Sequence, residues 1–176
     1  MGLTSAIIIF SLSLNLFITS LAEPVNPHPQ EFPSFKIQKP QDLKQAFARA
    51  CSYMVRITTS CSSPRYTRDY VSISFGDAYG NQVYVPRLDD PSSGTFERCS
   101  TDTFKVQGPC GYGVCYVYLY RSGYDGWIPD SVTISDLNYR KTITFYYRVP
   151  IPAGVWYGFN HCGGYVTAAA NATEVI

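Results

Sequence analysis

The chain has 176 residues, with 14 basic and 13 acidic side chains, a formal charge of +1, and 15 tyrosines and 10 phenylalanines against two methionines. This balance excludes a nucleic-acid-binding protein built on a basic surface, and the length suits one domain with one good core. The aromatic content favours sheet over a helix bundle.

Met1 to Ala22 contains no charged side chain, and its apolar runs Ala6 to Phe10 and Leu12 to Ile18 end in the small residues Ser20 and Ala22. That pattern predicts a signal peptide over residues 1–22, removed before Glu23, and a secreted protein or one held in a secretory-pathway compartment. Ser11, Ser13, Asn15 and Thr19 interrupt the run, whereas a membrane anchor needs about 20 apolar residues in succession. No second apolar run of spanning length follows.

Residues 23–50 read as a Pro-rich linker and a short helix. Pro24, Pro27, Pro29, Pro33 and Pro40 make Glu23 to Pro40 an extended, mobile segment. Leu43, Phe47 and Ala50 then recur at helical spacing. All six cysteines, Cys51, Cys61, Cys99, Cys110, Cys115 and Cys162, follow, and an even number in a secreted chain predicts disulfides. The pairing is open from sequence alone. Cys51 and Cys162 open and close the strand-like region and are candidates to staple its first and last strands. The Cys-x2-Cys knuckles and clustered histidines that zinc requires are absent.

From Cys51 the hydrophobic period becomes two. Tyr53, Val55 and Ile57 share one face, and Val71, Ile73 and Phe75 repeat the pattern. A short strand is expected over Gln82 to Val85, ended by Pro86, and one or two strands over Thr95 to Val106. In the next strand Cys115, Val117 and Leu119 face one way, and Tyr116, Tyr118 and Tyr120 the other. Ser131 to Leu137 and Lys141 to Val149 complete the set, while Trp127, where the chain re-enters the strands, is expected in the core. Seven to eight short strands separated by Gly, Pro and Asp turns predict an all-β sandwich of two antiparallel sheets over residues 51–162. Residues 163–176 form a tail expected to be disordered, with a glycosylation sequon at Asn171.

Tyr53-x-Val55 with Thr58-Thr59, Val71 to Gly76, Phe104-x-Val106 and above all Gly126-Trp-Ile-Pro-Asp-Ser-Val-Thr-Ile134 resemble the plant embryo-specific seed protein family. More distantly they resemble the PLAT domain named for polycystin, lipoxygenase and alpha-toxin. The resemblance implies an eight-stranded sandwich that contacts membranes, lipids or protein partners without catalysis. The six cysteines and the lack of an attached enzyme domain depart from a lipoxygenase-like targeting role.

No catalytic constellation is present. The histidines are His28, in the Pro-rich segment, and His161, beside Cys162, and there is no Gly-x-Ser-x-Gly elbow. Asp89, Asp90, Asp125 and Asp130 are the candidates for a glycosidase-type carboxylate pair, but a small sandwich with acidic loops favours a binding module over an enzyme. No cofactor is expected, with calcium as the one candidate ion, held by Asp69, Asp77, Asp89, Asp90 and Asp125 in loops. Tyr112, Tyr116, Tyr118, Tyr120 and Tyr124 form either an aromatic platform or a packed strand face, and the packed face is preferred. Three loops combine Arg with Asp or Tyr: Arg65, Tyr66 and Asp69; Arg87, Asp89 and Asp90; Arg121, Tyr124 and Asp125. They are the candidate ligand loops, suited to a protein or lipid-headgroup partner. The expected function is a secreted, non-catalytic binding module acting in seed or embryo; a storage or structural protein ranks second and a carbohydrate-binding module third.

Overall fold

A computed structural model describes residues 28–38, 50–88 and 94–164. The expected signal peptide, most of the helical window, Asp89, Asp90 and the tail with Asn171 lie outside the described residues. Among the described residues no helix is long and apolar enough to cross a membrane.

Among the described residues nine strands form: β1 (Gln30–Glu31), β2 (Ala50–Thr59), β3 (Tyr70–Gly76), β4 (Gln82–Val85), β5 (Thr101–Pro109), β6 (Tyr116–Ser122), β7 (Pro129–Asp136), β8 (Lys141–Tyr146) and β9 (Trp156–Asn160). They pair antiparallel into a five-stranded sheet, β1-β9-β6-β3-β4, and a four-stranded sheet, β5-β2-β7-β8. This is the expected two-sheet sandwich.

The period-two residues meet between the sheets. Tyr53, Val55 and Ile57 of β2 and Val132 and Ile134 of β7 face Val71, Ile73 and Phe75 of β3 and Val117 and Leu119 of β6, all buried. Burying such side chains contributes about 1.5–3 kcal/mol each. Trp127 closes one end of this core, 4.7 Å from the Phe96 ring.

Three features differ from the sequence expectation. Ala50, expected to end a helix, begins β2. The Pro-rich segment, expected to be mobile, contributes β1 to the edge of β9, with Phe32 N–H bonded to the Trp156 carbonyl at 2.8 Å. Phe32 and Phe35 then cover the outer face of β6, each 4.4 Å from the Tyr118 ring, and Phe35 also packs on Trp156 at 5.3 Å. A row of strand tyrosines needs such a cover to leave water. Finally, β9 was not expected at all. Its centre is Gly158, where a Cβ would strike the Val117 carbonyl and the Tyr147 hydroxyl, so the glycine that hides the strand signal is the one that permits close approach.

The disulfides join Cys51 to Cys110, Cys61 to Cys99 and Cys115 to Cys162. The expected staple between Cys51 and Cys162 does not form, and the reason is register. Cys51 of β2 lies opposite Gly108 of β5, beside Cys110; Cys115 precedes Tyr116, which lies opposite Asn160 of β9, beside Cys162. Each of these two bridges pins the ends of hydrogen-bonded neighbours within one sheet. The three bridges close loops of 59, 38 and 47 residues, each corresponding to about 4 kcal/mol of restricted unfolded-state entropy in the chain-entropy model.

Candidate functional site

The antiparallel order brings the loops before β3, after β4, after β6 and after β8 to one end of the sandwich. Tyr70 lies opposite Ser122, and Leu88 N–H bonds to the Val71 carbonyl at 2.8 Å, so the segments 65–69, 86–88 and 121–126 meet there. All three candidate loops are thus neighbours, as far as they are described.

Their residues do not all face outward. Asp69 and Arg121 are buried against each other: Arg121 Nη1 donates to Asp69 Oδ2, and Arg121 Nε donates to the Ile151 carbonyl at 2.9 Å. Asp69 also accepts the Asp125 N–H at 3.0 Å and the Gly126 N–H at 3.1 Å. Burial opposes its ionisation, but the Asp125 amide, the Arg121 guanidinium and the Gly126 amide outweigh that and hold the carboxyl below its usual range. The pair therefore shapes the 121–126 loop instead of offering a ligand group. Gly123, at φ 148°, passes so close that a Cβ would meet the Asp69 carboxylate.

What the loops do present is arginine over tyrosine. Arg68 lies 5.3 Å from the Tyr66 ring centroid, Arg87 lies 4.2 Å from that of Tyr70, and Arg148 lies 4.8 Å from that of Tyr146. All three pairs sit at this end, and their tyrosines are exposed. Tyr124 is fully exposed at the tip of the 121–126 loop. Asp125 accepts from Arg68 N at 2.9 Å and from Arg68 Nε at 3.3 Å, tying two loops together. Arg65 is exposed, and its carbonyl accepts the Arg98 N–H at 3.0 Å.

Tyr70, Tyr146 and Arg148 were not singled out in the sequence. The spacing Tyr66-x-Arg68 and Tyr146-x-Arg148 could have revealed two of the pairs, but Tyr70 and Arg87 meet only through the β3–β4 register.

Of the calcium candidates that are described, Asp69 and Asp125 are neighbours and Asp77 stands apart from them. Asp77 lies at the far end of β3 from Asp69, and it accepts four bonds of its own, from Tyr79 N at 2.9 Å, Asn81 N at 3.0 Å, Asn81 Nδ2 at 2.7 Å and Tyr112 N at 2.9 Å. Among the described residues no three His, Cys, Asp or Glu side chains group as a metal site. The tyrosine row is divided. Tyr116 and Tyr118 are packed under the N-terminal segment, while Tyr112 and Tyr124 stand exposed at opposite ends.

The model of the embryo-specific protein 3 (ATS3) family matches residues 38–162. Embryo-specific protein ATS3B of Arabidopsis thaliana is 52% identical over 154 residues, 88% of this chain and 76% of that protein. Embryo-specific protein ATS3A of the same plant is 53% identical over 156 residues, 89% and 84% of the two chains. Among solved structures, a lipoxygenase aligns at TM-score 0.54 and 22% identity over 64% of this chain and 16% of its own. The alpha-toxin of Clostridium absonum aligns at TM-score 0.52 and 19% identity over 62% and 31%. In both, the matching part is a PLAT domain and the likeness is one of fold. The chain belongs to the embryo-specific protein 3 family and folds as a PLAT-like β-sandwich.

Proposed function

We propose that this protein is a secreted, non-catalytic interaction module of the seed or embryo, docking its arginine–tyrosine end on the anionic headgroups of a membrane. The observation that carries the reading is the gathering of Arg68 on Tyr66, Arg87 on Tyr70 and Arg148 on Tyr146 at one end, beside Tyr124. Guanidinium groups pair with phosphate through forked hydrogen bonds, and tyrosine is at home where an apolar body meets a wet surface. Exposed side chains spread over several loops suit a surface rather than a small substrate. The three disulfides are consistent with an oxidising compartment. The names of the Arabidopsis relatives support the embryo setting.

Flotation with phosphatidylserine-containing and with neutral vesicles, in calcium and in chelator, tests it. Binding to the anionic vesicles is expected, weakened by salt and by Arg68→Glu with Arg87→Glu. Vesicles that fail in every condition while seed extract yields a captured protein would replace the membrane with a protein partner. If both assays are empty, a storage role replaces the module.

A further inference from the structure

The opposite end of the sandwich carries a different surface. The turn 77–81, the loop 110–115, the start of β8 and the chain after β9 surround a cleft of about 480 Å³, lined among others by Asp77, Tyr79, Tyr112, Lys141 and His161. It adjoins a hollow of about 230 Å³ beside Asp136 and Tyr139, sharing Tyr112 and Lys141 with it. The larger volume falls within the range of small-molecule sites.

The aromatic groups here are exposed yet fixed. Tyr79 and Tyr112 are 71% and 76% exposed, and their rings meet edge to face at 5.2 Å. Asp77 holds both backbones at once, Tyr79 N–H on Oδ1 and Tyr112 N–H on Oδ2. The 110–115 loop is cross-linked at both ends, through Cys110 to Cys51 and through Cys115 to Cys162. Between them, Gly111 N–H donates to the Tyr53 hydroxyl at 3.2 Å, and that hydroxyl donates to the Pro109 carbonyl at 2.7 Å. Two of the three bridges and a buried carboxylate thus order a loop whose most prominent side chain faces water. Ordering of this kind lowers the entropic cost of binding.

The polar groups narrow the ligand. Asp77 and Asp136 place negative charge beside Lys141, the one Lys or Arg among the described residues that line the two hollows, an arrangement that disfavours an anion. Asp77 spends both oxygens on the turn and on Tyr112, and Asp136 spends Oδ1 on the Asn138 and Tyr139 N–H groups. His161 lies between the rings of Phe145 and Phe159, at 5.5 and 5.6 Å, and its Nε2 is buried with no hydrogen-bond partner among the described residues. Aromatic faces next to mixed donors and acceptors match a ring with an apolar C–H face and a rim of hydroxyls that both donate and accept.

We infer that this cleft is a binding site for a neutral sugar, a pyranose ring seated on Tyr79 and Tyr112 with its hydroxyls toward Lys141 and Asp136. It is separate from the arginine–tyrosine end, so either site stands or falls alone.

The test is calorimetric titration of the oxidised, full mature chain with cellotetraose, mannotetraose and, as the acidic comparison, tetragalacturonic acid. Saturable binding of a neutral tetrasaccharide is expected. Tyr112→Ala and Tyr79→Ala should each weaken it by about tenfold or more, while Arg68→Glu, at the other end, leaves it unchanged. Both tyrosines are exposed, so unchanged thermal unfolding of these variants is expected and removes misfolding as a cause. The inference is overturned if neither neutral sugar binds, if only the acidic one does, or if both tyrosine variants bind like the parent.

Discussion

Arg121 of β6 and Asp69, just before β3, form an ion pair inside the end of the sandwich, with side chains only 10% and 4% exposed. Both were candidate ligand residues, and both spend their polar groups within the protein. Removing one partner leaves a buried charge without its counterpart, which costs about 3–5 kcal/mol. Asp69→Ala and Arg121→Ala should each lower stability in urea unfolding by that amount, and Asp69→Leu with Arg121→Met by less than the two singles combined. Losses under about 1 kcal/mol would show the pair to be solvated instead.

The same carboxylates set the acid limit of stability. Asp69 and Asp77 are held below the usual carboxylate range; burial works the other way in each, and the hydrogen bonds outweigh it. A group with a lowered folded pKa binds fewer protons in the native state than in the unfolded one. Its contribution is therefore present above the ordinary pKa of 3.8 and lost as pH falls from there through the folded value. Chemical denaturation from pH 6 to pH 2 should show stability falling across that acid window. Asp69→Asn should flatten part of the fall.

The alkaline side follows from the tyrosines. Burial raises Tyr118 to about 12 and Tyr147 well above its ordinary value of 10.0. For a raised pKa the contribution is present below the unfolded value and lost as pH rises through the folded one. Tyr118 and Tyr147 should therefore ionise late, together with unfolding, as a distinct alkaline step in tyrosine absorbance. Ionisation of Tyr118 well below about pH 12 with the fold intact would contradict its burial beneath Phe32 and Phe35.

Local pattern carried far in this chain and register did not. The alternation Tyr53-x-Val55-x-Ile57 names a strand face because the pleat has a period of two, and Trp127 names a core position by its size. The pairing of Cys51 with Cys110 depends on how β2 aligns with β5, which no single stretch encodes. Asp69 and Arg121 are 52 residues apart, so as isolated loop charges they resemble solvent-facing groups. Gly158 masks β9, and prolines mask β1 until Phe32 and Phe35 are seen on Tyr118. The arginine–tyrosine end was half legible, as the two pairs with a spacing of two residues.

Peptide mapping without reduction should recover Cys51 with Cys110, Cys61 with Cys99 and Cys115 with Cys162. Replacing both Cys61 and Cys99 by Ala is expected to cost about 2–5 kcal/mol. A peptide joining Cys51 to Cys162 would overturn the sheet register as well as the bridge, since Cys51 lies in β2 and Cys162 just beyond β9, in different sheets.

Trp127 tests the core and its one polar attachment together. The residue is 1% exposed, packs on Phe96, and its Nε1–H donates to Thr59 Oγ1 at 3.1 Å. Trp127→Ala removes the ring and leaves a cavity, for an expected loss of about 3–5 kcal/mol. Trp127→Phe keeps most of the apolar contact but leaves the buried Thr59 hydroxyl without its donor, which costs about 1–3 kcal/mol beyond the lost volume. Thr59→Val leaves the indole N–H unpaired instead. Combining Trp127→Phe with Thr59→Val removes both polar partners, so the double variant should be more stable than the sum of the single losses predicts. Strict additivity in denaturant unfolding would mean that the hydrogen bond contributes nothing and that Trp127 acts through packing alone.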